Sequence, residues 1–166
     1  MKHAAELRIT TLGDRELVMT RAFDAPRKLV FDAFSKPELV KRWLLGPPGW
    51  SMPVYEIDLR VGGTYRYVWR DDTKGTKMGM GGMYREIVVP ERLVCTERFD
   101  EAWYPGEAVG TLVLVEQGGR TTITQTMRYQ SREARDAVIK SGMETGVAAS
   151  YDRLAELLAA TSGATL

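Results

Sequence analysis

The side chains of this sequence that could do chemistry are mostly aromatic rings and methionines, not nucleophiles or metal ligands. The chain has 4 tryptophans, 7 tyrosines and 8 methionines, but a single cysteine, Cys95, and a single histidine, His3. Aromatic side chains combine a large apolar surface with a polar tip, and methionine adapts to irregular shapes. Because buried tyrosine and tryptophan need hydrogen-bond partners, they are a poor choice for a dry core. This composition favours a binding site for a hydrophobic molecule.

We therefore predict that a set of large side chains lines an internal cavity and binds a ligand there. The set consists of Trp43, Trp50, Met52, Tyr55, Tyr65, Tyr67, Trp69, Met80, Tyr84, Trp103, Met143, Val147 and Tyr151. Ordinary core packing is the alternative interpretation for each single member, because apolar strand faces usually pack into the core.

Acid–base catalysis would need a buried pair of carboxyl groups with unequal pKa values. Glu56 and Asp58 alternate with apolar residues along one predicted strand, which places them on its outer face, and Glu86 and Glu97 lie on neighbouring predicted strands. We expect all four carboxylates to be solvated or salt-bridged. Cys95 lies in the middle of a strand pattern, where cysteine usually behaves as a small buried apolar group.

The sequence therefore assigns no catalytic residue, although it does not exclude an enzyme that uses the same cavity. In that case Tyr67, Tyr84, Tyr151 and Glu97 are the candidates for proton transfer. The run of glycines from Gly79 to Gly82 lacks the helix that follows a phosphate-binding loop, so we attribute it to strand bulging or close helix approach.

Charge and composition exclude several function classes. The 23 Lys and Arg residues nearly balance the 22 Asp and Glu residues, so we expect no nucleic-acid partner. A single cysteine excludes an internal disulfide framework and a multi-cysteine metal site, and we expect neither metal nor cofactor. The sequence contains no run of about 18 apolar residues, so no membrane span is predicted. The first residues lack the apolar core of a signal peptide. We therefore expect a cytoplasmic protein.

The elements that must position the aromatic set follow from the sequence periodicity. Two short helices are predicted between Asp24 and Leu45, separated at Pro37. From Ser51 to Tyr129 the period changes to two, which indicates successive antiparallel strands. A strand pair precedes the helices, and Ser131 caps a final helix that spans about 45 Å if it is continuous to Ala160.

The length of 166 residues suits a single domain over residues 1–166. Hairpin-connected strands and segregated helices predict an α+β fold with a curved antiparallel sheet. One long helix cannot seal the concave side of such a sheet, so we predict a hydrophobic cavity beneath it.

Short motifs spread along the chain have the order and spacing of a known family. They are Arg21–Pro26, Val30–Glu38 with Trp43, Asp58–Gly63, Gly82–Ile87, Pro90–Leu93, Gly142–Gly146 and Tyr151–Leu154. From about Arg21 to Leu158 the sequence resembles the START-like superfamily (SRPBCC), which includes the birch-pollen-allergen-like proteins. More narrowly, it resembles the activator-of-heat-shock-protein-ATPase-like (AHSA-like) branch. The resemblance implies a helix-grip fold with a long C-terminal helix over a hydrophobic cavity, and a link to the stress response.

Three functions remain open at this stage. The first is binding of a hydrophobic or amphipathic small molecule, such as a lipid, a polyketide or an aromatic metabolite. The second is a cavity-based enzyme of the cyclase, dehydratase or hydrolase type. The third is regulation of a chaperone ATPase through protein–protein contact, but the family's co-chaperones carry an additional chaperone-binding domain, so we expect no chaperone partner. A homodimer also remains open.

Overall fold

The computed structural model describes residues 6–101, Tyr104 and 106–164. In this part of the chain there are eight strands and four helices. The strands are β1 (Arg8–Leu12), β2 (Glu16–Phe23), β3 (Trp50–Ile57), β4 (Thr64–Asp71), β5 (Lys77–Val88), β6 (Arg92–Phe99), β7 (Ala108–Gln117) and β8 (Arg120–Arg128). The helices are α1 (Arg27–Ser35), α2 (Pro37–Trp43), α3 (Arg132–Lys140) and α4 (Met143–Ala164).

All eight strands form one antiparallel sheet in the order β1-β2-β8-β7-β6-β5-β4-β3. The register shifts in β3 between Ser51 and Val54, and in β5 between Tyr84 and Glu86. Such bulges bend a strand and increase its twist, which gives the sheet a concave face. The α+β fold with a curved antiparallel sheet, predicted from the sequence pattern, is confirmed, and so is the helix-grip architecture that the family resemblance implies.

The glycine-rich start of β5 is explained by a close approach between strands. A Cβ on Gly82 would collide with the carbonyl oxygen of Thr96 on β6. The expected bulging of this strand is observed nearby, but the close neighbour is a strand and not the helix that the sequence suggested. Glycine is required here because no side chain fits between the two backbones.

The final helical region is two helices, so the condition of one helix continuous to Ala160 is not met. Ser131 caps α3 as predicted, with its Oγ accepting a hydrogen bond from the backbone N–H of Ala134 at 3.0 Å. Gly142 has a φ of 80°, a left-handed conformation that ends a helix and that residues with a Cβ rarely adopt. The chain then begins α4, which runs for 22 residues.

Two buried arginines fix the helices to the first strands. Arg21 of β2 donates to Asp152 of α4 at 2.8 Å, and its guanidinium lies 5.3 Å from the ring centroid of Phe23. Arg135 of α3 donates to the backbone oxygens of Gly13 and Glu16, at 3.3 and 3.0 Å. Buried guanidinium groups need such partners because an unpaired buried charge is strongly destabilising. These contacts hold α3 and α4 in position against the sheet.

The core consists of two hydrophobic clusters. The larger one joins α1, α2 and α4 to strands β2 to β8, and Trp43 lies in it with its indole nitrogen donating to the carbonyl of Ala33 at 2.9 Å. The smaller one joins α3 to the start of β2 and the end of β8, with Leu17, Met127 and Tyr129 among its members. Among the described residues, no helix combines the length and the apolar character needed to cross a membrane.

Candidate ligand-binding cavity

A cavity of about 610 Å³ lies between the concave face of the sheet and the helices. Side chains from both hydrophobic clusters line it, and most of its lining is apolar. Binding sites for small molecules typically have a volume of about 300–1,000 Å³ and a predominantly apolar lining with a few polar groups. The dimensions and chemistry of this cavity therefore suit a small organic molecule.

Most of the aromatic set predicted from the sequence does line the cavity. Those residues are Trp43, Trp50, Tyr65, Tyr67, Trp69, Met80, Tyr84, Met143, Val147 and Tyr151. The strand members lie on the inner face because side chains alternate between the two faces of a strand, as Tyr65, Tyr67 and Trp69 do on β4. Met143 and Val147 reach the cavity from the first turns of α4.

Met52 and Tyr55 do not line the cavity, which corrects the prediction for these two residues. Met52 is buried within the larger hydrophobic cluster. Tyr55 lies opposite Tyr67 in the strand register, but β3 is the edge strand of the sheet and α2 lies against it. The Lys41 ammonium of α2 lies 5.0 Å from the ring centroid of Tyr55, so the ring packs under the helix instead. Trp103 lies outside the described residues.

One side of the cavity, which we call the α2-side wall, is formed by Phe34, Trp43, Trp50, Trp69 and Tyr151. The ring centroid of Trp43 lies 4.9 Å from that of Phe34 and 5.9 Å from that of Tyr151. The indole nitrogen of Trp69 donates to the carbonyl of Leu44 at 2.7 Å. Because these rings pack on one another and the indole N–H groups of Trp43 and Trp69 are already bonded to the backbone, this wall offers a ligand mainly apolar surface.

Between the two ends of the cavity lies a row of tyrosines. The ring centroid of Tyr65 is 5.2 Å from that of Tyr67 and 5.6 Å from that of Tyr84. The Tyr65 hydroxyl donates to the carbonyl of Thr96 at 2.6 Å. Burial raises the pKa of all three phenols above the ordinary value, so they stay protonated and act as neutral polar groups.

The opposite side, which we call the α3-side wall, is formed by Glu97, Tyr104, Met127, Tyr129 and Val138. Apart from Glu97, no residue of this wall was among the candidates predicted from the sequence, although Met127 and Tyr129 are two residues apart in an extended segment and so lie on one face. The ring centroids of Tyr104 and Tyr129 lie 5.3 Å apart in an edge-to-face arrangement. Burial, and to a lesser extent the nearby Glu97, raises the pKa of both phenols.

Glu97 is the principal departure from the expectation that all four carboxylates are solvated or salt-bridged, although it was also a candidate for proton transfer if the cavity belongs to an enzyme. Leu93, Cys95, Glu97 and Phe99 alternate along β6 on the face that lines the cavity, and the same period of two could have indicated this from the sequence. The Glu97 carboxyl makes no hydrogen bond or ion pair with any residue that the structure describes. Removal from water raises its pKa to about 7.

The other carboxylates match the expectation. Glu56, Asp58 and Glu86 are exposed, Asp58 accepts a hydrogen bond from Arg60 at 2.8 Å, and Glu86 pairs with Arg92. Glu97 is thus the sole Asp or Glu in the described lining of the cavity, which contains no Lys or Arg.

Cys95 borders the cavity next to Glu97 but has the wrong properties for a nucleophile. Its Sγ lies 4.0 Å from the hydroxyl of Tyr65. Burial, reinforced by the nearby Glu97 carboxyl, raises the pKa of the thiol to about 11. Since the thiolate is the reactive form, a thiol that remains protonated at neutral pH is inert.

The cavity reaches the surface beside the break between α3 and α4. Pro47, Ser141 and Gly142 belong to the lining and are also exposed to solvent. They come from two segments, the loop after α2 and the residues that separate the last two helices. These two segments therefore border an opening of the cavity to solvent.

Comparison with known proteins points to one family. The sequence model described as "Activator of Hsp90 ATPase homolog 1-like protein" matches residues 24–159. No curated protein matches the chain significantly.

Several solved structures share the fold over almost the whole chain. A protein from Rhodobacter sphaeroides is 32% identical, with a TM-score of 0.87 over 93% of this chain and 99% of that one. A protein from Chromobacterium violaceum is 30% identical, with a TM-score of 0.77 over 87% of this chain and 96% of that one. A protein from Nitrosomonas europaea is 25% identical, with a TM-score of 0.80 over 92% and 99% of the two chains.

Proposed function

The chain belongs to the family of activator of Hsp90 ATPase homolog 1-like proteins, and from this premise we propose that it binds a hydrophobic or amphipathic small molecule inside its cavity. A lipid, a polyketide or an aromatic metabolite has the required chemistry. The observation that carries the proposal is the cavity of about 610 Å³ with its mainly apolar lining. Protein cores rarely contain an unfilled volume of this size, because the side chains that line it lose packing contacts and the fold loses stability.

The arrangement of the lining supports binding of a molecule with both apolar and polar parts. Tryptophan and tyrosine rings offer flat apolar surfaces, while Glu97, Gln125 and Ser150 contribute polar atoms at separate points of the lining. A few polar groups in an apolar lining orient a ligand and provide specificity, while the apolar surface supplies most of the affinity.

The neutral fluorescent probe N-phenylnaphthylamine tests the proposal. We expect saturable binding of one molecule per chain, detected by probe fluorescence and by quenching of Trp43, Trp50 and Trp69 in the lining. The variant Val147→Trp places a larger side chain in the cavity from α4 and should weaken binding by about tenfold or more. Val115→Phe, on an exposed position of β7, is the matched control and should bind like the wild type. Equal binding by both variants would contradict the proposal.

A cavity-based enzyme is the second candidate, and Glu97 is the observation that favours it. A carboxyl group with a pKa of about 7 exchanges its proton readily near neutral pH, as a general acid or base must. The neighbouring tyrosine hydroxyls could orient a substrate. A proton exchange that the protein catalyses in a bound ketone, followed by NMR in deuterated water and lost in Glu97→Gln, would support catalysis. Binding without any exchange would leave the protein a binding module.

A further inference from the structure

We propose that the cavity selects an amphipathic ligand with a protonated amine, and that Glu97 is the counter-charge for this amine. The inference rests on the proposed function, since it names the class of ligand for the same cavity. The ligand's apolar body would lie toward the α2-side wall and its ammonium group beside Glu97, on the α3-side wall.

The first argument is the charge of the lining. Glu97 is the single carboxylate among the described lining residues, and neither Lys nor Arg is present there. A carboxylate or phosphate on the ligand would find no positive partner and would bring a second negative charge close to the first. An ammonium group would instead pair with Glu97 in a poorly solvated site, where the attraction between opposite charges is stronger than in water.

The second argument is that the Glu97 carboxyl has no protein partner. It makes no hydrogen bond or ion pair with a described residue, whereas the buried guanidiniums of Arg21 and Arg135 do have partners. The nearby Tyr65 hydroxyl already donates to the carbonyl of Thr96. Glu97 is half-buried in the cavity lining, and a partly desolvated carboxylate is stabilised by a donor or a cation that enters the cavity.

The third argument is the aromatic surroundings. Tyr65 from β4, Tyr104 from the segment after β6 and Tyr129 from just after β8 line the same cavity, and after burial the nearby Glu97 contributes to the raised pKa of each phenol. The faces of aromatic rings attract cations, and rings combined with a carboxylate are a common solution for binding ammonium groups. A metal ion fits less well, because no group of three or more potential ligands occurs among the described residues.

Three probes of the same shape and different charge test the inference: naphthylmethylamine, naphthylmethanol and naphthoate. At about pH 8, above the pKa of Glu97, we expect the wild type to bind the amine about tenfold more tightly than the alcohol. Naphthoate should bind more weakly than the alcohol. Glu97→Gln should remove the advantage of the amine and leave the affinity for the alcohol within about twofold. Glu86→Gln removes an exposed charge outside the cavity and is the matched control.

A pH series adds a readout that a structural role for Glu97 would not produce. In the wild type the amine should lose its advantage as the pH falls below about 7, because Glu97 becomes neutral while the amine stays charged. The other titratable groups that face Glu97 are Cys95, Tyr65, Tyr104 and Tyr129, all protonated in this range. The series should be flat in Glu97→Gln.

The outcomes separate the two proposals. Alcohol binding with no preference for the amine, or the tightest binding for naphthoate, would overturn the inference and leave the proposed function intact. Absence of binding by all three probes and by N-phenylnaphthylamine would overturn both. A preference for the amine that persists in Glu97→Gln would assign recognition to another group and overturn the role of Glu97.

Discussion

The two walls of the cavity are built on different principles. On the α2-side wall, aromatic rings pack on one another, and the indole N–H groups of Trp43 and Trp69 donate to backbone carbonyls. On the α3-side wall, Glu97 faces the cavity without a described partner. The indole N–H groups of the α2-side wall are hydrogen-bonded within the protein, and this wall maintains the shape of the cavity. The α3-side wall has a carboxyl group that is still able to bind a ligand. Substitutions in the two walls should therefore have opposite effects on stability.

The largest effect is expected from Trp43→Ala on the α2-side wall. Trp43 is only 1% exposed, and its truncation removes ring contacts with Phe34 and Tyr151 together with a buried hydrogen bond. We expect the free energy of unfolding to fall by about 3–5 kcal/mol, measured by urea denaturation. Trp50→Ala, a half-buried position of the same wall, is the comparison and should cost less than half as much. Equal losses in the two variants would contradict the larger contribution that we assign to Trp43.

An intermediate effect of opposite sign is expected from Glu97→Gln on the α3-side wall. Because the folded-state pKa of Glu97 is raised to about 7, the folded protein binds this proton more tightly than the unfolded chain does. This stability is fully present below the unfolded pKa of about 4.3 and is lost as the pH rises through about 7. At about pH 8 the Gln variant should be more stable than the wild type by an amount on the order of 1–3 kcal/mol.

Urea unfolding at about pH 5 and at about pH 8 measures this difference. At about pH 5 the two proteins should be more nearly equal, because most of the carboxyl is then protonated in the folded state. Glu86→Gln, whose exposed carboxylate is paired with Arg92, should show no comparable change with pH. A constant difference between Glu97→Gln and the wild type at both pH values would contradict the raised pKa.

The smallest effect is expected from Gly142→Ala, at the rim where the two walls meet solvent. A Cβ at this position would contact nothing within 4 Å, so the cost comes only from the φ of 80°. We expect a loss of about 1 kcal/mol in urea unfolding. Gly142→Asn is the matched variant and should lose less, because asparagine tolerates the left-handed region better than alanine does. Identical losses would show that the backbone conformation is not the cause.

The sequence was sufficient to predict most of the fold and four of the five side chains of the α2-side wall, all except Phe34. The alternation of Tyr65, Tyr67 and Trp69 specifies which side chains face inward, and it requires only local periodicity. Tyr55 obeys the same alternation but packs beneath α2 instead. The position of a helix over an edge strand is a tertiary feature that alternation does not encode.

The α3-side wall was harder to predict because its key residue contradicts a general tendency. A glutamate in a strand is usually solvated, so the residue type outweighed the alternation that put Glu97 in line with Leu93 and Cys95. The break at Gly142 was similarly ambiguous, since a glycine within a helical pattern either costs stability or ends the helix. In both cases the residue type alone is compatible with two different structures.

The most direct test of the central claim is a crystal structure of the protein with bromonaphthylmethanol, a neutral probe whose bromine is located by anomalous scattering. The account predicts a bromine peak inside the cavity, between β4 and α4, with the rings of Tyr67 and Trp69 against the naphthalene. Bromine peaks confined to the outer surface, with the cavity free of the probe at saturating concentration, would contradict it.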